Sequence, residues 1–308
     1  MMIALVESPL QLLNAFEATL FFNNKKTIYF VRLSGEYKND NQMIFLAQSL
    51  RLKNVVKIIV PVNKSDFYVL FKIMFLKVSI WGASFFSSRI IIGNFDSRLI
   101  RFVLAKAHQG KFLLVDDGAK SLSQQSGFSD NHNVDFFSIY ELSAWKGQNV
   151  FLNEYNGLRT LLSDKKCKMH EGKVLFLGAK LSEANIVEER QYLKYIAQIQ
   201  EFYRDDSLEL IYIPHRGESL EKIQDIKSLF DIKIMELDFP IELIGLYQNE
   251  LPYKVASFYS TALYSLNKIY GVDVDCFEFD CSGLSNYDAI KAVYDLYRKH
   301  YRVIALRE

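Results

Sequence analysis

The chain has 308 residues, 50% of them hydrophobic, and its 37 basic and 36 acidic residues give a formal net charge of +1. This length accommodates two domains of ordinary size, and the apolar content supports a packed core, which excludes global disorder. The balanced charge argues against a general nucleic-acid binder. Three scattered cysteines are too few for a disulfide framework or a structural zinc site, so a reducing, cytoplasmic setting is the expectation.

The first half of the chain alternates short apolar runs with longer amphipathic stretches. Its start, Met-Met-Ile-Ala-Leu-Val-Glu, predicts a first strand rather than a secretory leader. β-Branched and aromatic runs without polar alternation are typical of parallel strands covered on both faces. We predict strands at residues 3–6, 27–31, 55–60, 89–92 and 112–115, and helices at 11–22 and 41–52.

The most apolar stretch, residues 67–81, is interrupted only by Lys72 and Lys77. It is too short and too charged to predict a membrane span, so we expect a mostly buried helix. Lysines that flank aromatic residues also suit a membrane interface. A peripheral contact with the inner face of the cell membrane is therefore the alternative.

A polar segment at residues 161–173 separates this series from a second one, and we place the domain boundary there, giving domains 1–168 and 169–308. The second series predicts strands at 174–177, 208–213, 232–237, 255–258 and 272–279, and helices at 182–202, 218–230, 260–270 and 287–301. Such alternation predicts two Rossmann-like α/β halves, with ligands beyond the carboxyl ends of the strands.

Two polar motifs follow strand-like runs in separate halves of the chain. They are Asp116-Asp117-Gly118 and Pro214-His215-Arg216-Gly217-Glu218. A strand-end carboxylate can take the proton of an attacking hydroxyl, while a histidine and an arginine can stabilise a departing phosphate. That division of labour suits transfer of a sugar from an anionic leaving group. Dinucleotide, Walker, zinc-protease and serine-hydrolase motifs are absent from the sequence, which disfavours those classes.

These residues resemble the motifs of bacterial sialyltransferases, in particular glycosyltransferase family 52, and of the related bacterial polysialyltransferases. Those enzymes share an Asp/Glu-Asp/Glu-Gly motif, a His-Pro motif and a Ser/Thr pair. The matching positions are Asp116-Asp117-Gly118, His215 and Ser260-Thr261, and segments 8–11 and 177–183 are also similar to the family. One departure is clear, because His215 is preceded by proline and followed by Arg216.

The resemblance implies a GT-B fold, with two Rossmann-like α/β/α domains and an active site in the interdomain cleft. It also implies a CMP-activated donor, inversion at the anomeric carbon and no metal or resident cofactor. The N-terminal domain would hold the acceptor and the base, the C-terminal domain would bind the donor, and a homodimer is compatible with the family.

Asp116 is the predicted general base, and His215 is predicted to stabilise or protonate the CMP leaving group. Because successive strand residues face opposite sides, we expect Asp117 to turn away and to bond nearby backbone amides. The structural alternatives are an Asp-Gly turn and a loop histidine. Glu218 is expected to favour the first turn of the next helix.

Ser260 and Thr261 are predicted at a helix N-terminus, where hydroxyls and free amides bind anions; plain N-capping is the alternative. Glu242 is a candidate for the ribose hydroxyls, or else a first-turn helix residue. Arg216 is a candidate for pairing with phosphate, or else a solvated surface residue. The remaining candidates are Pro214 and Gly178 on the donor side, and Ser8, Gln11 and Asn94 on the donor or acceptor surface.

The sequence thus predicts a sialyltransferase that moves N-acetylneuraminic acid from its CMP ester to a terminal galactoside of a capsule or lipooligosaccharide. Three alternatives stay open at this point. The donor is another CMP-activated nonulosonic acid or Kdo, the donor is a UDP-sugar, or the chain is a non-catalytic nucleotide-sugar or glycan-binding protein.

Overall fold

The computed structural model describes residues 1–60, 67–94, 96–104, 111–118, 121, 134–142, 147–165, 167–282, 284 and 287–307. The chain forms two compact units. The first comprises Met1–Thr160 and Asp238–Pro240, and the second comprises Leu161–Leu237 and Ile241–Glu308. Each unit is built on its own parallel sheet, which confirms the prediction of two parallel α/β domains.

The sheet of the first unit has its described strands in the order β3-β2-β1-β4-β5-β6-β7, and all neighbours are parallel. The strands are β1 (Met2–Val6), β2 (Thr27–Leu33), β3 (Val55–Ile59), β4 (Arg89–Ile92), β5 (Lys111–Val115), β6 (Val134–Ser138) and β7 (Val150–Leu152). The helices are α1 (Pro9–Phe21), α2 (Tyr37–Ser49), α3 (Phe67–Ser84), α4 (Arg98–Leu104) and α5 (Asn156–Leu162), the last of which crosses the boundary between the units.

The core of this unit explains why β1 lacks polar alternation. All five residues of β1 are buried, and Ile3 pairs in register with Ile28 on one side and Ile90 on the other. Ile3 and Ile90 also belong to a cluster with Leu76 and Ile80 of α3. A central parallel strand with helices on both faces has no solvent side, so it stays apolar throughout.

The sheet of the second unit runs β10-β9-β8-β11-β12-β13, again with parallel neighbours. Its strands are β8 (Lys168–Leu177), β9 (Glu209–Ile213), β10 (Lys233–Ile234), β11 (Glu250–Ser257), β12 (Asp273–Glu278) and β13 (Arg302–Ala305). Its helices are α6 (Glu189–Asp205), α7 (Leu220–Leu229), the 3-10 helix Ile241–Leu243, α8 (Ile244–Tyr247), α9 (Ala262–Tyr270) and α10 (Tyr287–His300). Aromatic rings fill its core, where Phe176 contacts Tyr212, Phe258 and Phe277.

Several predicted boundaries are wrong. The predicted helix 182–202 begins only at Glu189, because the side chain of Glu183 accepts hydrogen bonds from Ser219 N and Lys222 Nζ instead of starting a helix. The predicted strand 232–237 shrinks to Lys233–Ile234, and the strand predicted at 174–177 begins earlier, at Lys168 in β8.

The structure adds elements that periodicity did not predict, namely β6, β7, β13, α4, α5, α8 and the 3-10 helix. Strand β6 was missed because Asp135 interrupts its apolar run. Asp135 is buried, and it is paired with Arg89 at 3.3 Å and bonded by the side chain and backbone of Asn149. A buried charge with such partners can lie inside a strand, although its polarity alone argues against a strand at that position.

The apolar stretch at 67–81 lies in helix α3, as predicted, but the expectation of a mostly buried helix is wrong. Val69, Leu76 and Ile80 pack inwards, while Phe71 and Phe75 are 64% and 59% exposed. Among the described helices, none is both long and apolar enough to pass through a bilayer.

Candidate active site

Three adjacent parallel strands of the second unit end at one edge of its sheet. Strand β8 lies between β9 and β11, and all three point the same way. Gly178 follows β8, Pro214 and His215 follow β9, and the Ser260-Thr261 pair comes shortly after β11. The topology therefore gathers the predicted donor-side motifs at one sheet edge, where open α/β sheets bind ligands.

The loop after β9 fixes the state of His215. Its Nδ1 accepts a hydrogen bond from Gly217 N at 3.0 Å, so the proton of the neutral ring is assigned to Nε2. Burial lowers the pKa of His215 to about 4, and the nearby charges of Arg216 and Lys180 add to that effect. At neutral pH the imidazole is therefore uncharged, and its Nε2–H is a hydrogen-bond donor.

Two cations stand close to this ring. Arg216 follows it directly, and the Lys180 side chain lies against Gly217, where a Cβ would be 3.3 Å from Lys180 Cδ. Lys180 was missed as a site residue by sequence reasoning. The available signal was a lysine three residues after the end of β8, in the segment 177–183 that resembles the family.

A buried ionic cluster underlies the His215 loop. Lys222 is fully buried, with its Nζ 3.0 Å from Glu218 Oε1 and 2.8 Å from Glu183 Oε2. Lys222 Nζ also donates to Ala179 O at 3.2 Å, in the loop that follows β8. Glu218 Oε2 in turn accepts the backbone N–H of His215. Lys222 thus ties the strand-end loop of β8 to that of β9.

Glu218 does not occupy the first turn of the next helix, contrary to the prediction. Ser219 caps α7, since its hydroxyl accepts a hydrogen bond from Lys222 N at 3.1 Å. Burial raises the pKa of the Glu218 carboxyl, against the opposing effects of Lys222 and the Tyr212 hydroxyl. Its oxygens accept bonds from Tyr212 and from the His215 backbone, so it holds the loop from below.

Gly178 has a packing reason to be glycine. A Cβ at this position would overlap Glu218 Oε2 and the hydroxyl of Tyr212, while Gly178 N donates to Ile213 O at 2.8 Å. The residue brings the β8 and β9 loops into close contact. Its predicted role in donor binding is not tested by this geometry.

Glu242 is buried in the first turn of the 3-10 helix Ile241–Leu243, in agreement with the first-turn alternative. Burial raises the pKa of its carboxyl; hydrogen bonds to its own backbone and Ser265, and the charge of Arg216, act in the opposite direction. Ser265 Oγ, in α9, donates to Glu242 Oε1 at 3.1 Å. The Glu242 carboxylate is therefore bonded to α9 and lies close enough to Arg216 to be affected by its charge.

The Ser260-Thr261 pair immediately precedes α9, whose first residue is Ala262 rather than 260. Thr261 holds the N-cap position with φ −64° and ψ −17°, yet its side chain makes no capping hydrogen bond. Ser260 O accepts from the Tyr297 hydroxyl and from Leu263 N. The N-capping alternative for the Thr261 hydroxyl is therefore wrong.

In the first unit, Asp116 follows β5 and is only 2% exposed. Its carboxylate accepts hydrogen bonds from Ser138 Oγ and Ile139 N, both at 2.7 Å, and Asn14 Nδ2 donates to its carbonyl at 3.1 Å. Burial raises the pKa of Asp116 to about 6, although these hydrogen bonds oppose the shift. The carboxyl is held rigidly and titrates close to neutrality.

In the Asp116-Asp117 pair, the Asp116 carboxylate accepts a hydrogen bond from a backbone amide, that of Ile139. Asp117 is half-buried, and its Oδ1 accepts from Ser8 Oγ at 3.3 Å. Gly118 has φ +73°, a left-handed conformation that glycine adopts without strain. The motif is therefore a real turn, with both carboxyls held in place.

The three remaining candidates of this unit have structural contacts. Ser8 caps α1 through Gln11 N, the Gln11 side-chain oxygen accepts from Glu7 N at 2.8 Å, and Asn94 Oδ1 accepts from Asp96 N at 2.8 Å. Across the described residues, no group of three or more His, Cys, Asp or Glu side chains is placed to hold a metal ion.

The family model of Alpha-2,8-polysialyltransferase (POLYST) matches residues 132–274. This span includes Gly178, His215, Glu242 and Ser260-Thr261, and it leaves Asp116 outside. A search of curated proteins gives no match.

Solved structures similar to this chain share its fold at very low sequence identity. A protein described as a UDP-N-acetylglucosamine 2-epimerase from Listeria monocytogenes has a TM-score of 0.58 at 10% identity, over 96% of this chain and 86% of its own. A sialyltransferase from Photobacterium damsela has a TM-score of 0.51 at 10% identity, over 99% and 81%. MurG from Acinetobacter baumannii has a TM-score of 0.51 at 9% identity, over 99% and 86%.

The two parallel α/β units have the GT-B fold, and together with the polysialyltransferase match they support a glycosyltransferase. The polysialyltransferase model matches residues 132–274, less than half of the chain, and over that span it confirms the resemblance to bacterial sialyltransferases found in the sequence. An enzyme of this class takes a nucleotide-sugar donor and a glycan acceptor.

Proposed function

We propose that this chain transfers sialic acid from CMP-N-acetylneuraminic acid to a terminal galactose of a capsule or lipooligosaccharide, with inversion and without metal or resident cofactor. The observation that carries the proposal is the cationic loop cluster beside His215. Its neutral Nε2–H donor, with the charges of Arg216 and Lys180 close by, suits one phosphate group. Departure of CMP adds a single negative charge, which two cations and a hydrogen-bond donor can stabilise.

The donor's remaining contacts are assigned by position. The amides and hydroxyls at the start of α9, with Ser260 and Thr261, face a second phosphate oxygen or the cytidine ribose. Glu242 accepts from ribose hydroxyls, and its bond from Ser265 fixes its orientation. Pro214 and Gly178 shape the two loops between which the phosphate binds.

Asp116 is the proposed base for the acceptor hydroxyl. Its raised pKa makes it a stronger proton acceptor than an ordinary aspartate, and that pKa leaves it ionised at pH 7. Hydrogen bonds from Ser138, Ile139 and Ser121 use three of about four lone-pair positions on the carboxylate, which leaves one for the acceptor hydroxyl. Asp117 is the second candidate for the base, because its carboxyl is half-buried while that of Asp116 is enclosed.

The test is a transfer assay with CMP-N-acetylneuraminic acid and a galactose-terminated oligosaccharide, following CMP release and the anomeric configuration of the product. We expect inverted product in the presence of a chelator. Turnover of CMP-Kdo or of UDP-sugars, with none of CMP-sialate, would replace the proposed donor. Tight CMP-sialate binding without turnover of any acceptor would indicate a binding protein.

Single substitutions test the residue roles. His215→Gln keeps a hydrogen-bonding group and should retain CMP binding while lowering kcat about 100-fold, the scale of one lost charge-stabilising donor. Asp116→Asn should abolish transfer, whereas Asp117→Asn should retain most of it. If Asp117→Asn abolishes transfer while Asp116→Asn retains most of it, Asp117 is the base instead. Lys227→Met, on the exposed side of α7, is the matched control and should leave transfer unchanged.

A further inference from the structure

Helix α3 presents a continuous apolar surface to solvent. Its exposed members are between 47% and 67% exposed, and we call them the α3 apolar face: Tyr68, Leu70, Phe71, Met74, Phe75, Val78 and Trp81. With 18 residues the helix is about 27 Å long, and the exposed residues lie along most of that length. Isolated exposed apolar residues are ordinary, but a continuous patch of this size marks an interaction surface.

The angular arrangement of the helix indicates which kind of partner it fits. At about 100° per residue, the α3 apolar face fills an arc of about 160°, and Val69, Leu76 and Ile80 occupy the opposite, buried side. Lys77 and Lys72 border the arc on its two sides, about 20° and 40° beyond its edges. Apolar and aromatic side chains between two lysine borders are the pattern of a helix that lies in a membrane interface.

The charged side chains of α3 and of the neighbouring helix α4 are all positive. The sequences of α3 and α4 contain Lys72, Lys77, Arg98 and Arg101 and no carboxylate. The Lys72 ammonium lies 4.3 Å from the Tyr68 ring centroid, and the Lys77 ammonium lies 4.0 Å from that of Phe102. Each ammonium thus lies over an aromatic ring beside the α3 apolar face, and its flexible stem allows it to reach lipid headgroups instead.

We propose that the α3 apolar face binds peripherally to a bilayer rich in anionic phospholipids, with Lys72, Lys77, Arg98 and Arg101 contacting the headgroups. The buried side of α3 remains packed on the sheet, so the helix lies flat in the interface and does not insert across it. A purely apolar partner would gain nothing from the lysine borders, whereas an anionic surface complements them. The proposal is independent of the donor assigned above.

The test uses the full chain in flotation with two kinds of vesicle, phosphatidylcholine alone and phosphatidylcholine mixed with phosphatidylglycerol. We expect binding to the anionic vesicles that weakens as salt is raised. Phe71→Ser with Phe75→Ser should lower the partition coefficient about tenfold or more, because two half-exposed aromatic rings no longer enter the interface. Lys72→Gln with Lys77→Gln should lower it about tenfold on anionic vesicles, with no change on phosphatidylcholine.

The matched control is Leu220→Ser with Leu229→Ser, which removes two apolar side chains that are 66% and 62% exposed on α7. This variant should bind vesicles as the parent does, and thermal unfolding should show that all variants are folded. The proposal is overturned if the parent does not float with anionic vesicles, or if the phenylalanine variant floats equally well. It is also overturned if the parent is a lipid-free dimer that the phenylalanine variant dissociates, since a second copy then covers the face.

Discussion

Lys222 links the loops that follow β8 and β9, and its replacement by methionine is the sharpest test of this structure. Its side chain is fully buried between two carboxylates, at 3.0 Å from Glu218 and 2.8 Å from Glu183. Methionine fills a similar volume but carries no charge. Lys222→Met therefore leaves the Glu218 carboxyl buried without its cation and removes the link to Ala179 O.

The size of the stability loss in Lys222→Met follows from the burial of the ion pair. Removing one partner of a buried pair costs about 3 to 5 kcal/mol, because the other charge is left desolvated. Glu218 can limit this cost by taking up a proton, since burial already raises its pKa above the ordinary range of a glutamate and loss of Lys222 raises it further. An acid with a raised folded-state pKa stabilises the fold below its unfolded pKa, and this stabilisation is lost as pH rises through the folded pKa. The destabilisation should thus be small near pH 4.5 and full at pH 8.

The assay is denaturant unfolding of parent and variant at several pH values between about 4.5 and 8. Lys227→Met, on the exposed side of the same helix, should change the free energy of unfolding by less than about 0.5 kcal/mol. A Glu218→Gln/Lys222→Met double variant should be more stable at pH 8 than the two single effects added together, by about 1 to 3 kcal/mol. A loss below about 1 kcal/mol at pH 8 for Lys222→Met, or a loss that does not grow with pH, would refute the reasoning.

Three further predictions follow from the sites. The His215 ring protons in NMR should titrate with a pKa of about 4 in the free protein, because burial and neighbouring cations disfavour the imidazolium; His215→Gln assigns the resonance, and titration near the ordinary 6.5 contradicts the structure. The raised pKa of Asp116 should make the fold lose about 3 kcal/mol as pH rises from about 4 to about 6, and Asp116→Asn should remove that slope in unfolding experiments; an unchanged slope counts against a buried Asp116. Gly178→Ala should cost about 1 to 3 kcal/mol by overlap with its neighbours, whereas Gly82→Ala, where a Cβ meets nothing within 4 Å, should be neutral or stabilising; equal unfolding midpoints for the two alanine variants would exclude the overlap.

The parts of the fold that the sequence predicts are those in which one local pattern decides the outcome. Residues 89–92 were predicted as a strand and form β4 without any change of boundary, because four apolar or aliphatic-stemmed residues in a row fit a central parallel strand. Strand β6 escaped the same reasoning, since its buried Asp135 is acceptable only because Arg89, 46 positions earlier in the chain, lies beside it. Periodicity contains no information about such a partner.

The candidate site likewise has residues that a local pattern predicts and residues that depend on a distant partner. The strand-end positions of Asp116 and His215 are local consequences of alternation and could be predicted. Lys222 could not, because on a helix its spacing suggests only a pair with Glu218 four residues before it. Its second partner, Glu183, lies 39 positions away and becomes a neighbour only when β8 and β9 pair. The exposed side of α3 was mispredicted for a related reason, since hydropathy does not show which side of an apolar helix is covered.

The free-protein pKa of His215 also bears on whether it gives CMP a hydrogen bond or a proton. A pKa of about 4 leaves the imidazolium about three units, or roughly 4 kcal/mol, short of protonation at pH 7. One negative charge at about 4 Å contributes about 4 kcal/mol at an effective dielectric constant of 20. Contact between a phosphate and Nε2 would therefore offset much of that cost, but the added proton would have to go on Nδ1, which accepts the Gly217 N–H. Two donors would then face each other, so the loop opposes the imidazolium. In the proposed reaction the ring therefore gives the leaving phosphate a hydrogen bond from Nε2 rather than a proton.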